Sequence, residues 1–398
     1  MDSRTRSNDN PWHVLATLSV LMGFASISTD LYLPAMPVMS AALGPGAIEW
    51  TISGYLIGFS IGQLFWGPLG DRYGRRLPVA IGLVLFIIGS AGCALATTTW
   101  QEITWRVVQA SGASAGVVLG RAMVRDLYEG TRAAQMMSTL MTVMAIAPLI
   151  GPLVGGQVLA LAGWRAIFWT LVGIGVVMLG ALFVLPETLP PSRRNHAPLS
   201  GTFARYRELL RDRRLLGYAG AGGCFYAGLF TYVGGTPFAY ITYHHVSPRS
   251  YGVLFAAGIV GIMAMNLLSA RLVSRLGSDA LLLRGAAIAA CAGIVTAVCA
   301  WTDWGGLAGI AVPLFFFNSM TGLVVANSIS GALRGFPERA GAVSALVGAI
   351  QYGSGIIGTG LLGAFANGTV RPLGGIIAAA SVGSFLFAWL LVPKASHA

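Results

Sequence analysis

The sequence Gly67-Pro68-Leu69-Gly70-Asp71-Arg72-Tyr73-Gly74-Arg75-Arg76 decides the fold, because it sets charges and glycines between two long apolar segments. A short basic loop of this kind is stable in water, whereas the long apolar segments beside it are stable in lipid. The stretch therefore predicts a loop at a membrane surface that joins two membrane-spanning helices.

The composition favours the same class of protein. Of the 398 residues, 55% are hydrophobic and 10% are charged, and the mean hydropathy is +0.72. A soluble protein of this length cannot bury so much apolar surface, whereas a helical membrane protein exposes it to lipid. The net charge of +11 would suggest nucleic acid binding in a soluble protein. Here the basic residues lie between apolar segments, so we expect a lipid bilayer as partner and no nucleic acid.

Apolar segments recur along the chain, each with about the 20 residues that a bilayer requires. Of the 25 Lys and Arg residues, 21 fall on the side of the termini, three fall on the other side and one lies inside a span. This asymmetry predicts that both termini are cytoplasmic. We place twelve spans at roughly 12–35, 48–68, 77–96, 100–124, 134–158, 164–185, 215–240, 250–270, 281–300, 306–330, 340–364 and 372–392.

The chain divides into two similar halves. Residues 186–214 are rich in proline and arginine, and the second half echoes the first at an offset of 203 residues. Leu69, Arg72 and Gly74 thereby recur as Leu272, Arg275 and Gly277. We predict an all-α integral membrane fold of two six-helix bundles, at 1–185 and 215–398, joined by a cytoplasmic basic linker at 186–214. Such repeats build transporters that rock around a site at the membrane midplane.

Two charged residues stand deep inside predicted spans, and we assign almost all of the other acids to termini and loops. Asp30 lies near the outer end of the first span, and Arg106 lies at a similar depth in the fourth. A charge in the bilayer costs about 2.5–3.5 kcal/mol, so such residues face a cavity or a partner. We expect the two to share one hydrophilic cavity and to couple transport to protons.

Two interpretations of this pair stay open. Burial favours a neutral carboxyl and a nearby guanidinium favours a carboxylate, so Asp30 could load a proton on one side and release it on the other. Alternatively, Asp30 and Arg106 form a permanent ion pair that only fixes two helices. One embedded acid would carry one proton per cycle.

Small residues mark the fifth span. Pro148, Gly151, Pro152, Gly155 and Gly156 permit close helix packing, and the prolines add a possible bend. Packing explains the pattern by itself, and a role in gating would come in addition.

The second half supplies aromatic and amide side chains without an embedded acid or base, a surface that suits bulky lipophilic ligands. No nucleophile set and no phosphate-binding loop is present, and the four cysteines lie in apolar segments without metal-ligand spacing. We therefore expect no enzyme, no metal and no cofactor apart from protons. The candidate substrate contacts are Tyr32, Tyr55, Gln109, Met144, Phe225, Tyr226, Phe230, Asn318 and Gln351.

Together, these motifs resemble the major facilitator superfamily. The loop from Gly67 to Arg76 is similar to its signature loop, Arg106 with Gly112 to its fourth-helix signature, and 148–156 to the fifth-helix signature of its antiporters. Ser28–Pro34, Arg121–Tyr128 and Gly163–Trp169 resemble the Bcr/CflA drug-resistance transporters in particular. The resemblance implies that the loop residues Gly67, Asp71, Arg72, Gly74, Arg75 and Arg76 form a conformational latch.

The resemblance further implies a proton-coupled multidrug antiporter of the bacterial inner membrane. It would export small lipophilic antibiotics, similar to bicyclomycin and phenicols, by alternating access, and would act as a monomer. One departure is that Val20–Phe24 holds no second acid of the kind that some related exporters carry. The alternatives are a proton-coupled uptake symporter of a sugar or metabolite, and a membrane sensor that transports nothing.

Overall fold

The computed structural model describes residues 12–44, 47–128, 130–183, 185–194, 207–336 and 340–392. Almost all of these residues are helical. The α-helices are α1 (Trp12–Asp30), α2 (Met36–Leu43), α3 (Trp50–Tyr73), α4 (Arg76–Leu95), α5 (Thr99–Leu127), α6 (Gly130–Ala162), α7 (Trp164–Ala181), α8 (Arg213–Pro237), α9 (Pro248–Thr302), α10 (Gly306–Ser319), α11 (Thr321–Arg334), α12 (Ala340–Ala364) and α13 (Arg371–Leu391).

The helices form twelve rods in the described part of the chain, as the sequence predicts. The pairs α1–α2 and α10–α11 each act as one interrupted rod, and α9 contains two rods that meet at Gly277. Eight helical stretches of the described residues are long and apolar enough to cross a bilayer by length and composition. The prediction of an all-α membrane fold with two bundles is therefore confirmed.

Proline interrupts the first rod where the functional residues lie. Helix α1 ends at Asp30, and a 3-10 turn at Leu33–Ala35 follows. Pro34 has no N–H to donate to the carbonyl of residue 30, and its ring disfavours helical geometry for the residue before it. The carbonyl of residue 30 consequently lacks this helical donor, and α1 ends at this point.

Two glycines show that the sequence repeat is also a repeat of backbone geometry. Gly74 ends α3 with a φ of +90°, and Gly277, 203 positions later, breaks α9 with a φ of +76°. Side chains with a Cβ rarely adopt this region, so glycine fits both turns. Each half therefore reverses direction at the same point of its loop.

The two halves meet most closely at one end of the molecule, which we call the sealed end. This end carries the loops 95–99, 162–164 and 364–371. There Trp50 Nε1 donates to the Gly360 carbonyl at 3.2 Å, and the hydroxyls of Ser53 and Thr359 lie 2.6 Å apart. We call the opposite end, which carries Gly74, the basic end. Part of the predicted linker, 195–206, lies outside the described residues, and the domain boundaries stay predictions.

Candidate functional site

A cavity of about 280 Å³ lies between the two halves. Asp30 and Asn318 are among its polar lining residues, and the rest of its wall is mostly aromatic and aliphatic. Both polar atoms of the Asn318 side chain lack a hydrogen-bond partner and are buried. The aromatic lining residues are Tyr55, Phe59, Tyr226, Phe230, Tyr232, Phe255 and Tyr352.

Asp30 occupies the point at which α1 ends and the cavity begins. Its residue surface is 6% exposed. Helix α6 packs directly against it, because a methyl group at Gly151 would lie 3.0 Å from the Asp30 Cβ, and one at Gly155 would overlap the Leu31 carbonyl oxygen. The small residues of α6 thus bring that helix onto the backbone that carries the acid.

Arg106 lies behind this wall and is fully buried in α5. Its Nη1 donates to the Ser28 carbonyl near the end of α1 at 3.0 Å and to Gln109 Oε1 at 2.5 Å. The guanidinium also lies between the rings of Tyr32 and Tyr55, 4.2 and 4.5 Å from their centroids. The expectation that both charges face one cavity is therefore wrong for Arg106, because the Tyr55 ring separates it from the cavity.

Neighbouring hydrogen bonds fix the groups that hold Arg106. Gln109 Nε2 donates to the Ser90 hydroxyl at 2.7 Å, and that hydroxyl donates to the Phe86 carbonyl at 2.7 Å. On the other side, the Tyr55 and Ser28 hydroxyls lie 2.6 Å apart. The guanidinium is consequently held in a preformed site to which four helices, α1, α3, α4 and α5, contribute.

Asp30 and Arg106 do not form a direct ion pair in this state. The ion pairs with N–O distances of 4.0 Å or less among the described residues join other groups. Arg106 is instead held by a carbonyl, an amide and two aromatic rings. The permanent pair, one of the two interpretations of the sequence, is therefore absent from this conformation.

A second buried acid was missed by the sequence interpretation. Glu102 lies in the first turn of α5 with no exposed surface, and its carboxyl group has only the weakly donating Cys93 thiol beside it, without a well-formed hydrogen bond. The expectation that Asp30 is the one embedded acid is therefore wrong. The available signal was its position in the predicted span 100–124, four residues before Arg106, where it shares a helix face with the arginine.

Four of the nine candidate substrate residues line the cavity, namely Tyr55, Tyr226, Phe230 and Asn318. Four others do not line it. Tyr32 and Gln109 contact Arg106 instead. The Phe225 ring stacks on that of Phe317 with centroids 5.1 Å apart, and Gln351 is buried but is not a lining residue. The side chain of Met144 lies outside the described part of the structure.

The signature loop forms its contacts within the first half and with the start of the linker. Arg75 is 6% exposed and donates to Asp126 Oδ2 at 2.8 Å and to Asp71 Oδ1 at 2.7 Å. Glu187 accepts hydrogen bonds from the backbone N–H of Arg75 at 2.8 Å and of Arg76 at 3.2 Å. In this state the partner of Asp71 is thus a residue of its own half, and a latch between the halves stays a prediction.

Comparisons with known proteins agree with this fold. The sequence profile of the Major Facilitator Superfamily matches residues 18–359. The uncharacterized MFS-type transporter YdgK of Bacillus subtilis is 34% identical, over 93% of this chain and 94% of that protein. A bicyclomycin resistance protein homolog of Haemophilus influenzae is 27% identical, over 90% and 91%. A chloramphenicol resistance protein of Pseudomonas aeruginosa is 30% identical, over 91% and 87%.

A solved structure gives the same architecture. The crystal structure of a D-xylose-proton symporter superposes with a TM-score of 0.76, covering 97% of this chain and 99% of that one. The two are 16% identical in sequence, so this likeness shows the fold alone. The chain therefore belongs to the major facilitator superfamily, whose members are membrane transporters and not enzymes.

Proposed function

We propose that this protein is a proton-driven exporter of small lipophilic compounds, with Asp30 as proton carrier. The observation that carries the proposal is the position of Asp30, a carboxyl group in the wall of an aromatic cavity between two halves. A carboxyl group there can exchange a proton with cavity water. Loss of the proton makes the cavity wall negatively charged, and this changes how the wall interacts with a bound ligand. Arg106 supports the ionised form from behind the wall without a direct ion pair.

Helix α6 offers a route from the acid to the contact between halves. One side of α6 packs Gly151 and Gly155 on Asp30 and Leu31. Another side packs on α9, where a methyl group at Gly156 would lie 3.0 Å from the Pro248 carbonyl oxygen. A change of charge and hydration at Asp30 would therefore act on a helix that contacts the second half near the sealed end.

The cavity wall supports a lipophilic substrate class. Its lining is dominated by aromatic and aliphatic side chains, and few polar groups face it. The names of two relatives, for resistance to bicyclomycin and chloramphenicol, support the same class of compound for this chain. The basic end would face the cytoplasm of a bacterium, because the predicted cytoplasmic loops hold most of the arginines.

Proteoliposome flux tests the proposal. We expect an imposed pH gradient to drive accumulation of a phenicol in inverted vesicles, and Asp30→Asn to abolish this accumulation while the protein still folds. Asp303→Asn is a matched control, because it makes the same chemical change at an exposed residue with a φ of +56°, which asparagine tolerates. Accumulation by the Asp30 variant at the wild-type rate would contradict the proposal.

The same vesicles separate the alternatives. An uptake symporter would accumulate its substrate in right-side-out vesicles, whereas an exporter does so in inverted ones. A sensor that transports nothing would show no flux in either orientation.

A further inference from the structure

Glu102 is an anomaly that proton transfer at Asp30 leaves unexplained. The side chain is fully buried, and the hydrogen-bonding group beside its carboxyl is the Cys93 thiol, a weak donor that makes no well-formed hydrogen bond to either oxygen. An ionised carboxylate without a strong donor or a counter-ion is among the most costly groups in a protein interior, and the cost is no lower in a membrane. The residue must therefore be neutral here, or find a partner in another state.

That partner is one turn away. Arg106 follows Glu102 on the same face of α5, about 6 Å further along the helix axis. The Nε and Nη2 atoms of Arg106 have no hydrogen-bond partner and are buried. The other titratable groups that face Glu102 are the Cys93 thiol on α4 and the Tyr32 hydroxyl after α1. Arg165, on the adjoining α7, is turned away to the Ala96 carbonyl.

The three charged groups are arranged in order across the first half. Glu102 lies on the sealed-end side of Arg106, and Asp30 lies on the cavity side. One cation between two acids is neutral as a group when one of the acids holds a proton. A buried cluster favours this neutral state, because an uncompensated buried charge is strongly destabilising.

We propose that Glu102 is a second proton-binding residue, which takes up the transported proton at the sealed end and passes it to Asp30. This rests on the proposed function of the protein. In the present state Glu102 is protonated and Arg106 is held at the Ser28 carbonyl. The O–H bond of Glu102 then breaks, the proton passes through water to a carboxylate oxygen of Asp30, and Arg106 turns to pair with the Glu102 carboxylate.

Release of the proton from Asp30 into the cavity completes the inward half of the cycle. When the protein changes conformation and the sealed end opens, Glu102 takes up a proton from outside and Arg106 returns to the Ser28 carbonyl. One proton crosses the membrane per cycle. Glu102 therefore adds a second proton-binding site on the same path and leaves the stoichiometry at one proton.

Two measurements on the full-length protein test the assignment. Infrared spectroscopy of wild-type protein should show the band of a protonated carboxyl group, which Glu102→Gln removes and Asp30→Asn retains. In proteoliposomes Glu102→Gln should lose gradient-driven phenicol accumulation but keep phenicol counterflow, which needs alternating access and no proton. Glu49→Gln serves as the matched control, since Glu49 is also buried near the sealed end, and should behave as wild type.

The outcomes separate this inference from the proposed function. If the pH gradient drives phenicol accumulation equally by wild-type and Glu102→Gln protein, Glu102 does not carry the transported proton. The exporter proposal would still stand. If wild-type protein does not respond to the gradient, both fail. If Glu102→Gln does not fold, Glu102→Asp must shift the carboxyl band. An unshifted band would mean that Glu102 is a carboxylate held by the N-terminus of α5.

Discussion

At the scale of the residue, Arg106 shows how a charge can be buried without an ion pair. Placing a cation in the membrane costs about 2.5–3.5 kcal/mol on the insertion scale. Two desolvated aromatic faces contribute about 2 kcal/mol each, and hydrogen bonds to a charged donor about 1.5–3 kcal/mol. The contacts of Arg106 with Tyr32, Tyr55, Ser28 and Gln109 thus offset the cost by themselves. A direct ion pair with Asp30 is therefore not needed to hold Arg106 in place, which leaves the carboxyl group of Asp30 available to bind a proton.

Glu187 gives a prediction at the basic end, outside the membrane spans. Partial burial alone would raise the pKa of Glu187, but backbone N–H groups of Arg75, Leu189 and Arg76, with the nearby Arg194 charge, lower it below the ordinary value of 4.5. Because the folded pKa is the lower one, the stabilisation is present above pH 4.5 and is lost as the pH falls through the folded value.

We accordingly expect Glu187→Gln to lower the midpoint of thermal unfolding at pH 7. The difference from wild type should shrink as the pH is lowered below 4.5. Asp303→Asn, at an exposed residue, is the control for the loss of a charge. A difference that stays constant from pH 7 to well below pH 4.5 would show that the bonds of Glu187 to the loop do not depend on its charge.

The sequence identified Asp30 and Arg106 because charged residues are rare within apolar segments. It could not show that Arg106 lies behind the cavity wall, since this depends on how α5 is rotated. The same rotation separates neighbours in α12, where Tyr352 lines the cavity and Gln351 does not. Glu102 was missed because an acid at the end of a predicted span is easily assigned to the loop.

At the scale of the element, the spans were predictable, but two of their irregularities were not. Runs of apolar residues predict a helix in lipid wherever they are long enough. The break of the tenth rod at Met320 has no proline or glycine at that position, and the six residues Phe238–Tyr243 continue α8 as a π-helix. Such irregularities arise from packing between helices, which a single segment of sequence does not reveal.

Helix α6 provides a prediction about close packing. Gly155→Ala would place a methyl group against the Leu31 carbonyl oxygen, so α6 must move away from α1. We expect the free energy of unfolding to fall by about 1–3 kcal/mol, with a loss of gradient-driven transport. Gly173→Ala in α7 is the control, because a methyl group there meets no atom within 4 Å. Equal thermal unfolding of the two variants in detergent would contradict this role of α6.

At the scale of the whole molecule, the two halves repeat a framework and differ in chemistry. Each half joins its turning loop to the end of a later helix by an ion pair, Arg75 with Asp126 and Asp279 with Arg334, so the signs are exchanged. The offset of 203 residues predicted the repeated turn but not this exchange. The embedded charges belong to the first half, and the second half contributes Asn318 and most of the aromatic cavity wall.

Closure of the sealed end can be tested by a covalent link between the halves. The hydroxyl oxygens of Ser53 and Thr359 lie 2.6 Å apart, so cysteines at both positions would bring their sulfurs near the length of a disulfide, about 2.05 Å. We expect oxidised Ser53→Cys/Thr359→Cys protein to be held closed at this end and to lose transport, which a reductant restores. Each single variant controls for the four native cysteines. Undiminished transport by the linked protein would mean that the sealed end does not open during transport. The halves would then not rock around the cavity, as alternating access requires.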